Sequence, residues 1–440
     1  MKRCLPLSIA SALIGAGLLT STQSALAITD LETNAAIPFS FSNPGARSLG
    51  MGGAFVGLAD DATAAYTNPA GLTQLVQTEV SLEGRRIETN SPFTSGGSAT
   101  FNPFAFSDIT VGNISNTNSS PSFMSLVLPR GDWSFAFFRH EVTKFSTSFT
   151  NAGGTLLTDD FVDGFEQQVS PFNGSANLHI VNYSAAAALK ANDHLSFGLD
   201  LSYYEFSLRS QRDAFFNDHL SNRVVDDGSD HALAASIGVR LRFNEQWSAG
   251  FAYRVNPKFD YTEIGYIADS SGTLPSAPSG TLAAQFKVPD VISAGVSYHP
   301  NDQIVVNFDV DRVFYSQLTG KLNSIFDIPA STLDRLNVPN GTEVHLGGEY
   351  TFSSMANPLS LRAGVWHDPR HTIQFDGTPS DGSGLTEAVV FGGGYGAKTH
   401  YSVGGGMAFT GTFLKGVEVD AAYDYSVKVK TASVSAVYRF

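Results

Sequence analysis

The chain has 440 residues, of which 42% are hydrophobic and only 15% charged, with 42 Gly and 33 Phe. So low a charged fraction sets it apart from helical cytoplasmic enzymes, where charged residues make up about a quarter, and its apolar content excludes intrinsic disorder. The formal charge of −14 has the wrong sign for nucleic-acid binding, and no apolar run after the N-terminus approaches the ~20 residues of a spanning helix, which leaves a large soluble β protein or a membrane β-barrel.

Lys2 and Arg3, the apolar stretch Leu5 to Leu19 and the small-residue end Ala25-Leu26-Ala27 read together as a secretory signal peptide over residues 1–27. Cys4 is the one cysteine and leaves with that signal. An exported chain without disulfides must gain stability elsewhere, and a closed hydrogen-bonded barrel is one way.

Residues 28–73 do not alternate. They contain Asn43-Pro44-Gly45, Gly50-Met51-Gly52-Gly53-Ala54 and Asn68-Pro69-Ala70-Gly71-Leu72. Asp60 and the residues after it predict a short capped helix that stops before Pro69. A compact Gly-rich segment ahead of a wide wall is well placed as an internal plug, or hatch, since so large a barrel would otherwise enclose water.

Residues 74–440 return repeatedly to about ten alternating residues followed by turn chemistry. Leu195, Phe197, Leu199, Leu201 and Tyr203 alternate with Ser196, Gly198, Asp200 and Ser202; Trp247 to Val255 repeats the pattern with Ser248, Gly250, Ala252 and Arg254. A period of two places one set on each strand face. Apolar-out and polar-in is the membrane-barrel arrangement, although a soluble sandwich would alternate as well. The connections decide between them. About fourteen candidate strands are joined by gaps that are alternately short, as at Arg130-Gly131-Asp132, and long, as at 88–120, 143–176, 208–230, 257–280, 312–341 and 367–398. Tight turns at one end and long loops at the other belong to an outer-membrane barrel, and the even strand count agrees. Pro289 interrupts the strand expected at 281–298 and marks a kink in the wall, because it cannot donate to the ladder. Phe440 closes the last alternating strand, which resembles the signal by which barrel-assembly machinery recognises outer-membrane proteins.

The Gly-Met-Gly-Gly-Ala run, Ala59-Asp60-Asp61-Ala62 and Asn68-Pro69-Ala70-Gly71-Leu72 resemble the hatch of the FadL family of outer-membrane transporters. Trp247-Ser248-Ala249-Gly250-Phe251-Ala252-Tyr253-Arg254, Val288-Pro289-Asp290 and Leu361-Arg362-Ala363-Gly364 extend the likeness along the chain. The resemblance implies an all-β, about fourteen-stranded barrel in the outer membrane of a Gram-negative bacterium, plugged by its N-terminal hatch. It implies passive transport of long-chain fatty acids or, in the TodX branch, aromatic hydrocarbons. Asn68, Pro69 and Ala70 correspond to a hatch motif beside the wall that shifts when substrate binds.

A fatty acid needs an apolar groove and a cation or donors for its carboxylate. Arg240, Arg242, Arg254 and Arg362 share the inward parity and can hold a carboxylate in a fork, or can brace wall to plug through acids such as Glu83 and Asp200. Phe101, Phe104 and Phe106, in the first long connection, are the expected entrance groove, since exposed rings there are costly unless they capture something. No cofactor and no metal is expected: Gly50-x-Gly52 lacks the strand and helix of a dinucleotide site, and Pro369 opposes a helix that would align His367 with His371. Enzymatic activity is not expected either. The expected partners are a hydrophobic small molecule, outer-membrane lipid and lipopolysaccharide, and the assembly machinery at Phe440, with the chain a monomer. The rival reading is a structural or secretion-accessory barrel.

Overall fold

A computed structural model describes residues 43–101, 109–158, 165–319, 334–371, 373–376, 396–411 and 413–440; within these, side chains are described except at 91–101, 109–114, 154–158, 165–169 and 319. The wall begins with β1 (Glu79–Phe101), β2 (Ile109–Arg130) and β3 (Trp133–Asn151). A small hairpin of β4 (Gly154–Thr158) and β5 (Phe165–Val169) precedes β6 (Phe172–Lys190), β7 (Leu195–Phe216), β8 (His219–Arg242) and β9 (Trp247–Val255). β10 (Lys258–Ile267) continues β9, and β11 (Gly280–Lys287) leads into β12 (Val291–Asn301). β13 (Ile304–Val313), the short β14 (Leu336–Asn337), β15 (Gly341–Phe352) and β16 (Leu359–Asp368) follow. The short β17 (Gln374–Phe375), β18 (Lys398–Ala408), β19 (Val417–Tyr425) and β20 (Val429–Arg439) complete the chain.

β20 pairs antiparallel with β1 from Glu79↔Arg439 to Thr89↔Val429, which closes a fourteen-stranded antiparallel barrel. The alternation sets the two faces. Leu82, Phe137, Leu201, Ile237, Phe308, Leu361 and Val403 point outward and are exposed, whereas Ser134, Ser202, Ser248, Ser297, Asn307, His345 and Ser402 point inward and are buried. An apolar outside on a polar inside is what lipid around a filled lumen requires.

The long gaps at 88–120, 143–176 and 208–230 are in large part strand among the described residues. β1 has 23 residues, β7 has 22 and β8 has 24, well beyond the ~9–11 that cross a bilayer. Beyond the lipid the ladder persists on Ser, Thr and Asn, because backbone pairing needs no apolar alternation. The connection expected at 208–230 is thus a continuous hairpin closed at Asn217 and Asp218, both with positive φ (49° and 62°), as a two-residue type I′ turn demands. Pro289 falls between β11 and β12. Here the missing ladder bonds are replaced by Asp290, whose Oδ1 accepts the Asn256 N–H at 2.7 Å, and by Asn256, whose Nδ2 donates to the Pro289 carbonyl at 2.6 Å.

The lumen holds residues 43–74: helix α1 (Ala46–Gly50), helix α2 (Ala64–Thr67) and a 3₁₀ turn (Pro69–Gln74), all largely buried. The start of α2 is held by Asp61, whose Oδ1 accepts the Thr63 N–H at 2.8 Å and its hydroxyl at 2.6 Å. Asp60, the expected cap, instead pairs with Arg47 at 2.6 Å.

Candidate ligand channel

The inner segment is seated on a belt of wall glycines. Gly198↔Gly238, Gly250↔Gly295 and Gly347↔Gly364 are direct cross-strand pairs, and Gly404 on β18 extends the row. A Cβ on Gly250 would lie 2.0 Å from the Val56 carbonyl oxygen, one on Gly347 2.0 Å from that of Met51, and one on Gly198 2.2 Å from the Ala70 nitrogen. Backbone therefore meets backbone, which only glycine permits.

Polar groups lock this seat. Asn68 is fully buried; its Nδ2 donates to the Val56 carbonyl at 3.2 Å and to the Val239 carbonyl of β8 at 3.1 Å, while its Oδ1 accepts the Ala70 N–H at 3.3 Å. Only an amide can donate to two carbonyls and accept an N–H at once, and Pro69 starts the 3₁₀ turn at a position where no N–H is needed. Asp309 of β13 accepts the Phe55 and Val56 N–H groups at 2.5 and 2.6 Å. Sequence reasoning missed Asp309 and the belt, whose signal was a glycine at inward parity in strand after strand.

The four arginines divide. Arg362 is 4% exposed and ion-paired to Glu349 and Asp420; Glu349 also receives Arg47 of the inner segment at 3.0 Å. Arg254 donates to the Tyr66 carbonyl at 2.9 Å and stacks 3.9 Å over the Tyr66 ring. Both therefore brace wall to inner segment, through other partners than Glu83, which pairs with Arg85, and Asp200, which accepts Ser202. Arg240 is partly buried and Arg242 is exposed beside the tight turn before β9. Phe101 ends β1, and Phe104 and Phe106 lie outside the described residues.

Toward the long-connection end of the belt lies an apolar cluster that includes Phe145, Leu178, Tyr204, Phe206, Phe259 and Phe286. Phe206 stacks on Phe259 at 4.7 Å and tilts against Phe286 at 5.5 Å. Beside it the wall is discontinuous. β2 pairs with β3 only from Arg130↔Trp133 to Phe123↔His140. Immediately beyond, β3 bulges: Glu141 faces Val181 and Thr143 faces Ile180, so Val142 is the extra residue and turns inward. Past the bulge, β2 stays with β1 and β3 with β6. Side chains bridge the gap, Asn118 to the Lys144 carbonyl and Ser120 to Glu141. A cavity lined by Arg85, Asn116, Ser122, Val142 and Lys144 opens there. Val142 belongs both to this cavity and to the apolar cluster.

A closed barrel with a lipid-facing apolar exterior, a polar lumen and its own N-terminal segment inside defines an outer-membrane β-barrel of the Gram-negative type. The chain belongs to the family of outer membrane transport proteins described as OMPP1/FadL/TodX, whose family model matches residues 33–438. That family comprises channels for hydrophobic compounds. Among solved structures, the fold is similar to a Pseudomonas aeruginosa FadL homologue at 15% identity and a TM-score of 0.63, covering 92% of this chain and 99% of that one. It is also similar to the CymD monoaromatic hydrocarbon channel, at 16% identity and a TM-score of 0.59, and to the Pseudomonas putida toluene transporter TodX, at 15% and 0.59; each alignment covers 91% of this chain and 99% of the other. No curated protein matches the chain in sequence.

Proposed function

We propose that the protein admits long-chain fatty acids passively across the outer membrane, with residues 28–73 acting as a hatch. The observation that carries this reading is the double membership of Val142: one residue lines both the apolar cluster inside the barrel and the cavity at the β2–β3 gap. An apolar chain leaving the cluster thus meets a break in the wall without crossing the polar belt. The cluster reaches from Leu178 on β6 to Ile373 beyond β16, more apolar surface than a single aromatic ring would cover. Lys144 at the cavity supplies a cation beside which a carboxylate can pass.

A second reading, uptake of aromatic hydrocarbons, is favoured by the stacked rings Phe206, Phe259 and Phe286 and by the hydrocarbon channels among the similar structures. One experiment separates them. Uptake of oleate and of toluene is measured in a deletion strain carrying the wild type or Val142→Trp, which fills the cavity. Oleate uptake restored by the wild type and abolished by Val142→Trp supports the proposal. Toluene uptake alone supports the second reading, and uptake of either by Val142→Trp at the wild-type rate removes the gap from the path.

A further inference from the structure

Asp311 on β13 and Glu343 and His345 on β15 bring one ligand atom each within 4.8 Å of one another, and all three residues are buried. His345 Nδ1 donates to the Gly52 carbonyl of the inner segment at 2.7 Å, so its Nε2 is the atom turned toward the two acids. That Nε2 makes no hydrogen bond although His345 is 2% exposed, and Asp311 Oδ1 likewise has no hydrogen-bond partner.

The spacing explains the vacancy of hydrogen bonds. Nε2 lies 3.6 Å from Asp311 Oδ2 and 3.6 Å from Glu343 Oε2. A protonated imidazole paired with carboxylates would sit at about 2.7–2.9 Å from them, and a neutral ring would aim its lone pair at two negative groups. A tetrahedral cation with bonds of about 2.0–2.1 Å holds its ligand atoms ~3.3–3.4 Å apart, close to the two separations from Nε2, and the carboxylate oxygens lie within 4.8 Å of each other. The surroundings match those of ligating side chains: the far nitrogen of His345 is bonded to a backbone carbonyl, and Glu343 Oε1 accepts the Tyr315 hydroxyl at 2.9 Å. Trp366 stacks on the His345 ring at 5.2 Å and fixes its plane.

We propose that Asp311, Glu343 and His345 form a binding site for a divalent transition-metal cation of the zinc type, placed between two wall strands and the inner segment. One imidazole and two carboxylates suit Zn²⁺, with a fourth position left to water. Through the His345–Gly52 bond the bound ion ties β13 and β15 to the loop that follows α1, and so stabilises the seated inner segment.

The test uses full-length protein in detergent, stripped with chelator and titrated with Co²⁺ and then Zn²⁺. The expected result is one Co²⁺ per chain with visible d–d absorption, displaced by Zn²⁺. Asp311→Asn, which leaves the His345–Gly52 contact in place, is expected to weaken binding at least ~100-fold, and Tyr315→Phe about 10-fold. Zn²⁺ is also expected to raise the unfolding temperature of the wild type and not that of Asp311→Asn, as linkage requires. Absence of stoichiometric binding in the wild type overturns the site, as does binding that survives unchanged in both Asp311→Asn and Glu343→Gln.

Discussion

The two sides of the barrel treat the inner segment differently. From β7 round to β18 the wall meets it through glycines, with carbonyl and amide atoms of the segment against strand backbone. From β1 to β6 it meets side chains instead: Phe123, Val127, Ala136, Phe138, Ala186 and Ala188 pack on Ala62, Ala65, Tyr66 and Leu72. The first side clamps, because backbone atoms cannot rotate away. The second side packs through side chains, and its Phe and Val residues, unlike backbone atoms, have alternative rotamers. The break between β2 and β3 lies on this second side. By contrast, the Pro289 interruption on the clamping side is closed by Asn256 and Asp290. Polar side chains span both interruptions, but the β2–β3 gap runs on past the bulge, whereas β12 resumes its pairing with β9 and β13 at Val291, directly after Asp290.

The sharpest way to test the clamp is to put one methyl group on the belt and one, as a control, on the outer face of the wall. Gly250→Ala places a Cβ 2.0 Å from the Val56 carbonyl oxygen, whereas Gly84 on β1 has nothing within 4 Å of the position a Cβ would take. Gly250→Ala is expected to destabilise the barrel by about 3 kcal/mol, the upper end of overpacking costs, since backbone must move. Gly84→Ala is expected to stay within about 0.5 kcal/mol of the wild type. Urea unfolding in detergent measures both, and liposome swelling with a small sugar reports whether the displaced segment lets polar solutes through. Equal behaviour of the two variants would mean that the glycine belt does not clamp the inner segment.

Tyr66 is where the sides meet. Its ring lies 4.3 Å from His140 and 6.3 Å from Phe138 on β3, and Arg254 of β9 covers it and binds its carbonyl. Arg254→Met keeps much of the side-chain volume but removes the charge-assisted hydrogen bond and the cation over the ring, which predicts a loss of about 2 kcal/mol. The belt remains intact in this variant, so sugar permeation is expected to match the wild type. A leak as large as that of Gly250→Ala would place the seal at Tyr66 and not at the glycines.

Much of this architecture is legible in the sequence because lipid imposes a strict period: Leu199 and Leu201 must face out, so Gly198 and Asp200 must face in. The strand number and the tight-turn end follow from that rule. What escapes is whatever depends on register between distant strands. The belt needs Gly250 level with Gly295, the bulge at Val142 interrupts parity within a single strand, and Asp309 finds Phe55 and Val56 across the lumen. Arg362 shows the same limit. Its inward parity was readable, but its compensation by Glu349 and Asp420, on β15 and β19, was not.

The smallest expected effect is a control outside the membrane, on the connection between β10 and β11. Asp269 accepts the Ser271 hydroxyl at 2.6 Å and the Ser271 and Thr273 N–H groups at 2.9 and 3.0 Å. These hydrogen bonds, the Ser271 hydroxyl first, hold its carboxyl below the usual aspartate value. A lowered folded-state pKa stabilises the turn at pH values above the ordinary ~3.9 and loses that contribution as pH falls through the depressed value. Limited proteolysis of the 268–279 connection should therefore stay slow at pH 5 and accelerate toward pH 3. Asp269→Asn keeps an acceptor oxygen but does not titrate, and should flatten this profile while leaving oleate uptake at pH 7 unchanged. Acid sensitivity of the same size in Asp269→Asn would assign the pH response elsewhere, and a simultaneous rise in sugar permeation would show that the rim is coupled to the clamped side after all.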